Sequence, residues 1–244
     1  MSDDSRLLTI DCGNSTIDCM RHDDGARLAL AANAESLDGL RALVVGRRLV
    51  TCVAVSVVRH ALDPVRALLA TYGITMRVAG EDVPCPLPLD YATPGSLGAD
   101  RWVGALAAHR LHGRAIVVDC GSATTVNLVE ADGTFRGGPI APGLRAFVAG
   151  MNAITPALPT ADLDAAIELP SRSSRSAVDT GVLLGYAGLV ERLVAGVLAN
   201  ARGPATVVVT GGNAARLLRH SRLAISPVTD LVHQGLRRLG AVAS

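Results

Sequence analysis

Two short stretches of this chain repeat one another, and they constrain the fold more than any other feature. Residues 8–16 read LTIDCGNST and residues 116–124 read IVVDCGSAT. Each is an apolar, largely β-branched run, then Asp-Cys-Gly, then small hydroxyl or amide residues. The run predicts a buried strand, and the glycine predicts a tight turn at its end. The copies lie nearly half the chain apart, too far for a solenoid, so the pattern predicts duplication of a whole lobe. A third strand-like run, TVVVTGGNAA at 206–215, ends in Thr-Gly-Gly.

Between these landmarks the pattern alternates. Strand-like runs fall near 49–58, 75–79 and 115–118, and helix-like runs near 37–47, 65–72, 102–111, 182–201 and 229–239. The stretch AARLLRHSRLA after residue 213 also has helical spacing. Such alternation predicts an α/β architecture. A boundary is expected near Gly113, giving an N-terminal lobe over 1–113 and a C-terminal lobe over 114–244. The Pro- and Gly-rich 80s and 90s predict a long ordered loop, and PSRSSRS at 170–176 predicts a second one. The most apolar stretch, 49–58, is too short to span a bilayer, and the acidic N-terminus has no apolar signal core. A cytoplasmic protein without membrane attachment is the expectation.

Composition excludes several functions. The sequence has no lysine, so its 23 basic residues are all arginine. That removes a P-loop, a standard protein kinase and Schiff-base chemistry. The 23 basic and 22 acidic residues nearly cancel, and there are only one Trp, three Tyr and two Phe. Neither a broad basic surface nor a base-stacking platform for nucleic acid is available. The five cysteines include no CxxC pair, which argues against a disulfide framework or a zinc site.

A strand ending in Asp and then Gly places two useful groups together. The turn's backbone N–H groups can hold phosphate oxygens, and the carboxylate can bind Mg²⁺ or a monovalent cation. Asp11 with Gly13, Asn14 and Ser15 forms one expected jaw, and Asp119 with Gly121, Ser122 and Thr124 the other. The turn at Thr210, Gly211 and Gly212 is expected to let a nucleoside approach the backbone. A lone Asp-x-Gly is a common turn; two matched copies and a third strand-Gly-Gly turn point to nucleotide binding. Cys12 and Cys120 are expected to be small core residues and not nucleophiles. The stretch DYATPGSLGADR at 90–101 adds three side chains, each with two readings. Asp100 takes a proton from a substrate hydroxyl or complements a helix dipole. Arg101 pairs with a substrate carboxylate or forms a surface ion pair, and Tyr91 bonds a polar substrate or anchors its loop.

These residues together resemble the type III pantothenate kinases, members of the acetate and sugar kinase/Hsp70/actin superfamily. IDCGNST resembles the family's first phosphate motif, YATPGSLGADR its pantothenate and catalytic motif, and VDCGSATT its second phosphate motif. FRGGPIAPGL, TGVLLGYAGLVERL and, on the adenosine side, VVVTGGNA are similar to its later patterns. The resemblance implies duplicated actin-like (ribonuclease H-like) lobes with a nucleotide cleft between them. It implies ATP-dependent phosphorylation of pantothenate to 4′-phosphopantothenate, the first step toward coenzyme A, by a homodimer. By the same resemblance Asp11, Cys12, Gly13, Asn14, Ser15, Thr16, Ile17 and Asp18 form the first ATP segment, with Asp11 near Mg²⁺. Ser122, Gly211 and Gly212 also bind ATP, and Asp119 binds a monovalent cation, K⁺ or NH₄⁺. Asp100 is the implied proton acceptor, and Tyr91, Gly98, Ala99, Asp100, Arg101 and Ser174 line the pantothenate site.

The chain departs from the family pattern at several positions. Ser15, Ser122 and Ser174 stand where Thr is usual, Asp18 where Lys is frequent, and Asn127 where Asp is usual. The Ser-for-Thr changes keep the hydroxyl. An Asp18 aimed at phosphates would repel them, and the strand-like alternation beside Ile17 predicts that it faces elsewhere. Two other functions stay open: a kinase for another small hydroxylated acceptor, and a non-catalytic paralogue that binds nucleotide or pantothenate as a regulatory partner.

Overall fold

The first repeat becomes the central strand of a sheet. β1 (Leu7–Cys12) pairs antiparallel with β2 (Thr16–Arg21) and parallel with β4 (Thr51–Ser56). β3 (Arg27–Ala31) and β5 (Thr75–Val78) complete the order β3-β2-β1-β4-β5. The structure is a computed structural model that describes residues 6–14, 16–31, 36–58 and 60–241. The chain divides into two units, Met1–Ala107 with Asp230–Ser244, and Ala108–Thr229.

In the first unit, alternation along the strands sorts the two sheet faces. Leu8, Ile10 and Cys12 of β1 join Cys19, Cys52 and Ala54 in a core with α1 (Ser36–Val44) and α2 (Asp63–Thr71), through Leu40, Val44 and Leu69. The opposite face carries Thr9 and Asp11 and receives α7 (Leu231–Ala241). Gly235 of α7 lies against α3 (Ala99–His112), where a Cβ would come within 2.2 Å of the Val103 carbonyl.

The second unit repeats this plan around the second copy of the motif. β6 (Ala115–Cys120) pairs antiparallel with β7 (Ala123–Val129) and parallel with β10 (Thr206–Thr210). With β8 (Phe135–Gly137) and β11 (Ser226–Pro227) the order is β11-β10-β6-β7-β8, and β9 (Ile140–Pro142) adds to β7. The sequence repeat is therefore a repeat of topology, and the α/β expectation holds. Helices α4 (Leu144–Ile154), α5 (Ser174–Leu198) and the short α6 (Ala214–His220) complete this unit.

One local expectation needs correction. Residues 170–176 do not form a loop throughout: α5 starts at Ser174, because Ser173 caps it. The Ser173 hydroxyl accepts from the Ser176 N–H while the Ser176 hydroxyl accepts from the Ser173 N–H, a reciprocal box that ties down the first turn. Beside the short apolar stretch at 49–58 there is one longer apolar element among the described residues. By length and composition α5 could cross a membrane. Here Val182, Tyr186, Val190 and Val194 recur at helical spacing and pack into the core of this unit.

Candidate active site

In the first unit the chain turns tightly after β1. Gly13 donates its N–H to the Thr16 carbonyl at 2.9 Å, closing a tight turn; Ser15 lies outside the described residues. Cys12 and Ile17 flank the turn with buried side chains, which leaves their backbone groups as the parts available for binding. Burial also pushes the Cys12 thiol above its ordinary range, as expected for a core residue.

Asp18 sits directly opposite Asp11 in the β1–β2 register, and opposed residues share a sheet face. Asp18 therefore lies on the Asp11 face of the sheet, and its charge is answered by neighbours within this unit. Arg27 Nε donates to Asp18 Oδ1 at 2.9 Å, and the guanidinium also bridges to Asp230. His233 Nε2 lies 3.5 Å from Asp18 Oδ2, while its Nδ1 meets Thr9 Oγ1 at 2.8 Å. Burial pushes the Asp18 carboxyl up, but His233 and Arg27 outweigh it and hold the group at about 2. Asp18 thus ties the hairpin to the start of α7.

A second cluster of the same unit forms where the long loop enters α3. Asp100 lies in the first turn of α3, and burial raises its carboxyl above the ordinary carboxylate value. A Cβ on Gly98 would stand 2.7 Å from Asp100 Oδ1, so glycine at 98 is what allows this placement. Arg101 is 7% exposed. Its Nη1 donates to the Tyr91 hydroxyl at 3.3 Å, and its guanidinium carbon lies 5.8 Å from the Tyr91 ring centroid, within cation–π range. The structure thus brings together Tyr91, Gly98, Ala99, Asp100 and Arg101, and Arg101 is not a surface residue.

In the second unit Asp119, Gly121 and Ser122 form the turn between β6 and β7, where Gly121 donates to the Ala123 carbonyl at 3.1 Å. Three other segments press on this turn. Gly211, at φ +91°, approaches so closely that a Cβ would lie 2.5 Å from Asp119 Oδ1 and 2.7 Å from the Cys120 backbone. Asn213 donates its N–H to the Cys120 carbonyl at 3.0 Å. Gly143, which caps α4, leaves no room for a Cβ beside the Gly121 and Ser122 carbonyls, 2.4 Å away. Gly212 has open space around it.

Thr124 does not belong to the exposed jaw: it is fully buried, and its hydroxyl lies 2.8 Å from that of Tyr186. Asn127 is likewise buried and donates to Thr125 Oγ1 at 2.9 Å. Ser174 is exposed at the first turn of α5, and among the described residues no hydrogen bond joins it to the Asp119 turn. Arg27, His233, Gly143, Tyr186 and Asn213 were not singled out from sequence. Gly143 and Tyr186 lie inside the patterns FRGGPIAPGL and GYAGLVE, which were the available signal; Arg27 and His233 needed the strand register.

The sequence model of the family described as Type III pantothenate kinase matches residues 7–196. The chain is 34% identical over 252 residues to a Type III pantothenate kinase of Rhizorhabdus wittichii, covering 94% of this chain and 95% of that one. It is 37% identical over 200 residues to one of Desulfovibrio desulfuricans, covering 77% and 73%. Among solved structures it is similar to a ROK family glucokinase from Streptomyces griseus in complex with glucose and AMPPNP, at TM-score 0.54, 12% identity and coverage of 97% and 98%. An inorganic polyphosphate/ATP-glucomannokinase from Arthrobacter gives TM-score 0.53, 16% identity and coverage of 98% and 99%. At such identities the structural likeness establishes the actin-like kinase fold alone. The sequence comparisons go further: this chain belongs to the type III pantothenate kinase family.

Proposed function

We propose that this chain transfers the γ-phosphoryl group of ATP to the primary hydroxyl of pantothenate, giving 4′-phosphopantothenate and ADP, the first step toward coenzyme A. The observation that supports it most is the Asp100 cluster. A carboxyl group lifted by burial stands beside a buried guanidinium that is itself oriented by Tyr91. In this reading the pantothenate hydroxyl oxygen forms the new P–O bond. The bond to the β,γ-bridging oxygen breaks, and that oxygen leaves with ADP. Asp100 accepts the hydroxyl proton. Arg101 pairs with the pantothenate carboxylate through two parallel N–H groups, Gly98 and Ala99 shape the wall beside Asp100, and Ser174 offers a hydroxyl to the acceptor.

Backbone N–H groups of Gly13, Asn14, Ser15 and Thr16, and those of the Gly121–Ser122 turn, take the phosphate oxygens. Gly211 and Gly212 let the nucleoside approach the main chain. Among the described residues no three His, Cys, Asp or Glu side chains gather into a metal cage. Asp11 and Asp119 as single carboxylates fit cations that share their coordination with phosphate oxygens and water. Asp11 is assigned to Mg²⁺ and Asp119 to K⁺ or NH₄⁺. Mg²⁺ supplies charge neutralisation on the transferring phosphoryl group. The working form in this reading is a cytoplasmic homodimer that binds no nucleic acid.

The test is an ADP-release assay with ATP, Mg²⁺, K⁺ and pantothenate, run against a no-acceptor control, a panel of other small hydroxylated acceptors and Asp100→Asn. Pantothenate-dependent turnover that the variant loses is the expected result. Turnover with a different acceptor only would move the reading to a kinase of that acceptor. Nucleotide binding without turnover on any acceptor would move it to a non-catalytic paralogue.

A further inference from the structure

Tyr186 takes no part in the steps above, yet it is the largest fully buried side chain of the described residues. It projects from α5 into the core of the second unit. Its hydroxyl lies 2.8 Å from Thr124 Oγ1 and stands near enough to the Cys120 thiol to draw that thiol's pKa down against burial. Cys120 and Thr124 are the facing pair that ends the β6–β7 ladder. Between them lie only Gly121, Ser122 and Ala123, the turn assigned above to phosphate.

One phenol therefore holds both stems of that turn from beneath. Gly211, Gly143 and Asn213 bear on the same turn through main-chain approach and bonds to its carbonyls. Tyr186 is the side chain that meets the hydroxyl of one stem and neighbours the thiol of the other. Burial pushes its phenol above the ordinary range, so it remains a neutral hydrogen-bonding group across the working pH. A group needed only to fill the core would be a phenylalanine. A hydroxyl carried into a fully buried position needs its partners to offset desolvation, and here those partners are the two ends of a ligand turn.

We propose that Tyr186 is a positioning residue for the nucleotide: its hydroxyl, through Thr124 and Cys120, sets the geometry in which the Gly121–Ser122 turn presents its N–H groups to phosphate. This rests on the assignment of that turn to ATP. Tyr186→Phe keeps the ring and removes one oxygen, so the core volume is nearly conserved. Losing one buried neutral hydrogen bond predicts a rise of about 3- to 30-fold in KM for ATP and in the calorimetric Kd for ADP, with KM for pantothenate unchanged within about twofold. Thr124→Val should reproduce the effect, Thr124→Ser should largely spare it, and the Phe/Val double variant should be no worse than either single one.

Measurements on the full-length chain distinguish the outcomes. Unchanged nucleotide affinity in Tyr186→Phe, additive losses in the double variant, or equal losses for ATP and pantothenate would each overturn the proposal. Should Tyr186→Phe fail to fold, Thr124→Val against Thr124→Ser carries the same comparison. If the wild-type chain binds ADP but does not phosphorylate pantothenate, the kinase reading fails while the ADP Kd still tests Tyr186.

Discussion

Gly211 and Gly212 are adjacent in sequence, and the structure predicts opposite responses to the same added methyl group. Alanine at 211 faces two separate costs. Its φ of +91° lies in a region that L-residues rarely adopt, which costs about 1–3 kcal/mol. Its Cβ would also lie 2.5 Å from Asp119 Oδ1 and 2.7 Å from the Cys120 backbone. Cys120 cannot recede, because its strand pairs with β10 and its carbonyl accepts from Asn213. Overpacking of this kind adds about 1–3 kcal/mol. Together the two costs predict a loss of about 2–6 kcal/mol, or a fall in Tm of roughly 4–24 °C for a chain of this size. Alanine at 212 meets nothing within 4 Å, so its Tm should stay within about 2 °C of wild type. If a nucleoside lies against that position, Gly212→Ala should still raise KM for ATP. Differential scanning calorimetry of the two variants, followed by ADP-release kinetics, reads both effects. Gly211→Ala melting with wild type, or the two variants losing equal stability, would refute the reasoning from close approach.

Asp100→Asn should lower kcat by about 10²–10⁴-fold without destabilising the chain. The folded-state pKa of Asp100 is raised by burial, so its ionised form costs stability once pH exceeds that value. The variant should melt at or above wild type at pH 7–8, and a clearly lower Tm there would contradict the burial argument. Asp18→Asn should do the reverse. Its carboxyl, at about 2 against an ordinary 3.8, contributes about 2 kcal/mol, fully present above pH 4 and lost as pH falls toward 2. Urea titrations of variant and wild type should diverge at pH 6 and converge near pH 2, and a gap independent of pH would count against the ion-pair account. Ser173→Ala removes one half of the α5 capping box and should cost about 0.5–2 kcal/mol, readable as a shift in the urea midpoint; no shift would mean the cap contributes nothing measurable.

The parts of the fold that were legible in sequence are those written in consecutive residues. LTIDCGNST and IVVDCGSAT each specify a strand, a turn and a carboxylate within one short window, and the strand orders β3-β2-β1-β4-β5 and β8-β7-β6-β10-β11 follow the same plan. Tyr91, Asp100 and Arg101 were legible for the same reason, since a single loop and the first turn of α3 bring them together. Thr124 was misplaced because a hydroxyl after a glycine turn reads alike whether it faces a ligand or the core; the register with Cys120 and the arrival of Tyr186 decide the matter. The partners of Asp18 were not legible for a related reason. Alternation along one strand gives a face, but which charges share that face depends on β1, β3 and α7, and the last of these is at the far end of the chain. The start of α5 was missed because serine-rich sequence reads as loop until its own hydroxyls close a cap.

The glycines show where local chemistry stops being sufficient. Gly13 and Gly121 are turn formers and announce themselves after a strand. Gly143, Gly211 and Gly235 are absences of side chains, required because another backbone passes within 2.2–2.7 Å of where a Cβ would stand. Two of these three approaches converge on the Asp119 turn. Close packing of main chain on main chain leaves no compliant side chain to absorb an error, so the turn is held far more rigidly than its own five residues could hold it. A duplicated strand-turn motif is built into both units. The second copy is packed against α4, α5 and the β10–α6 turn, none of which repeats its Asp-Cys-Gly sequence.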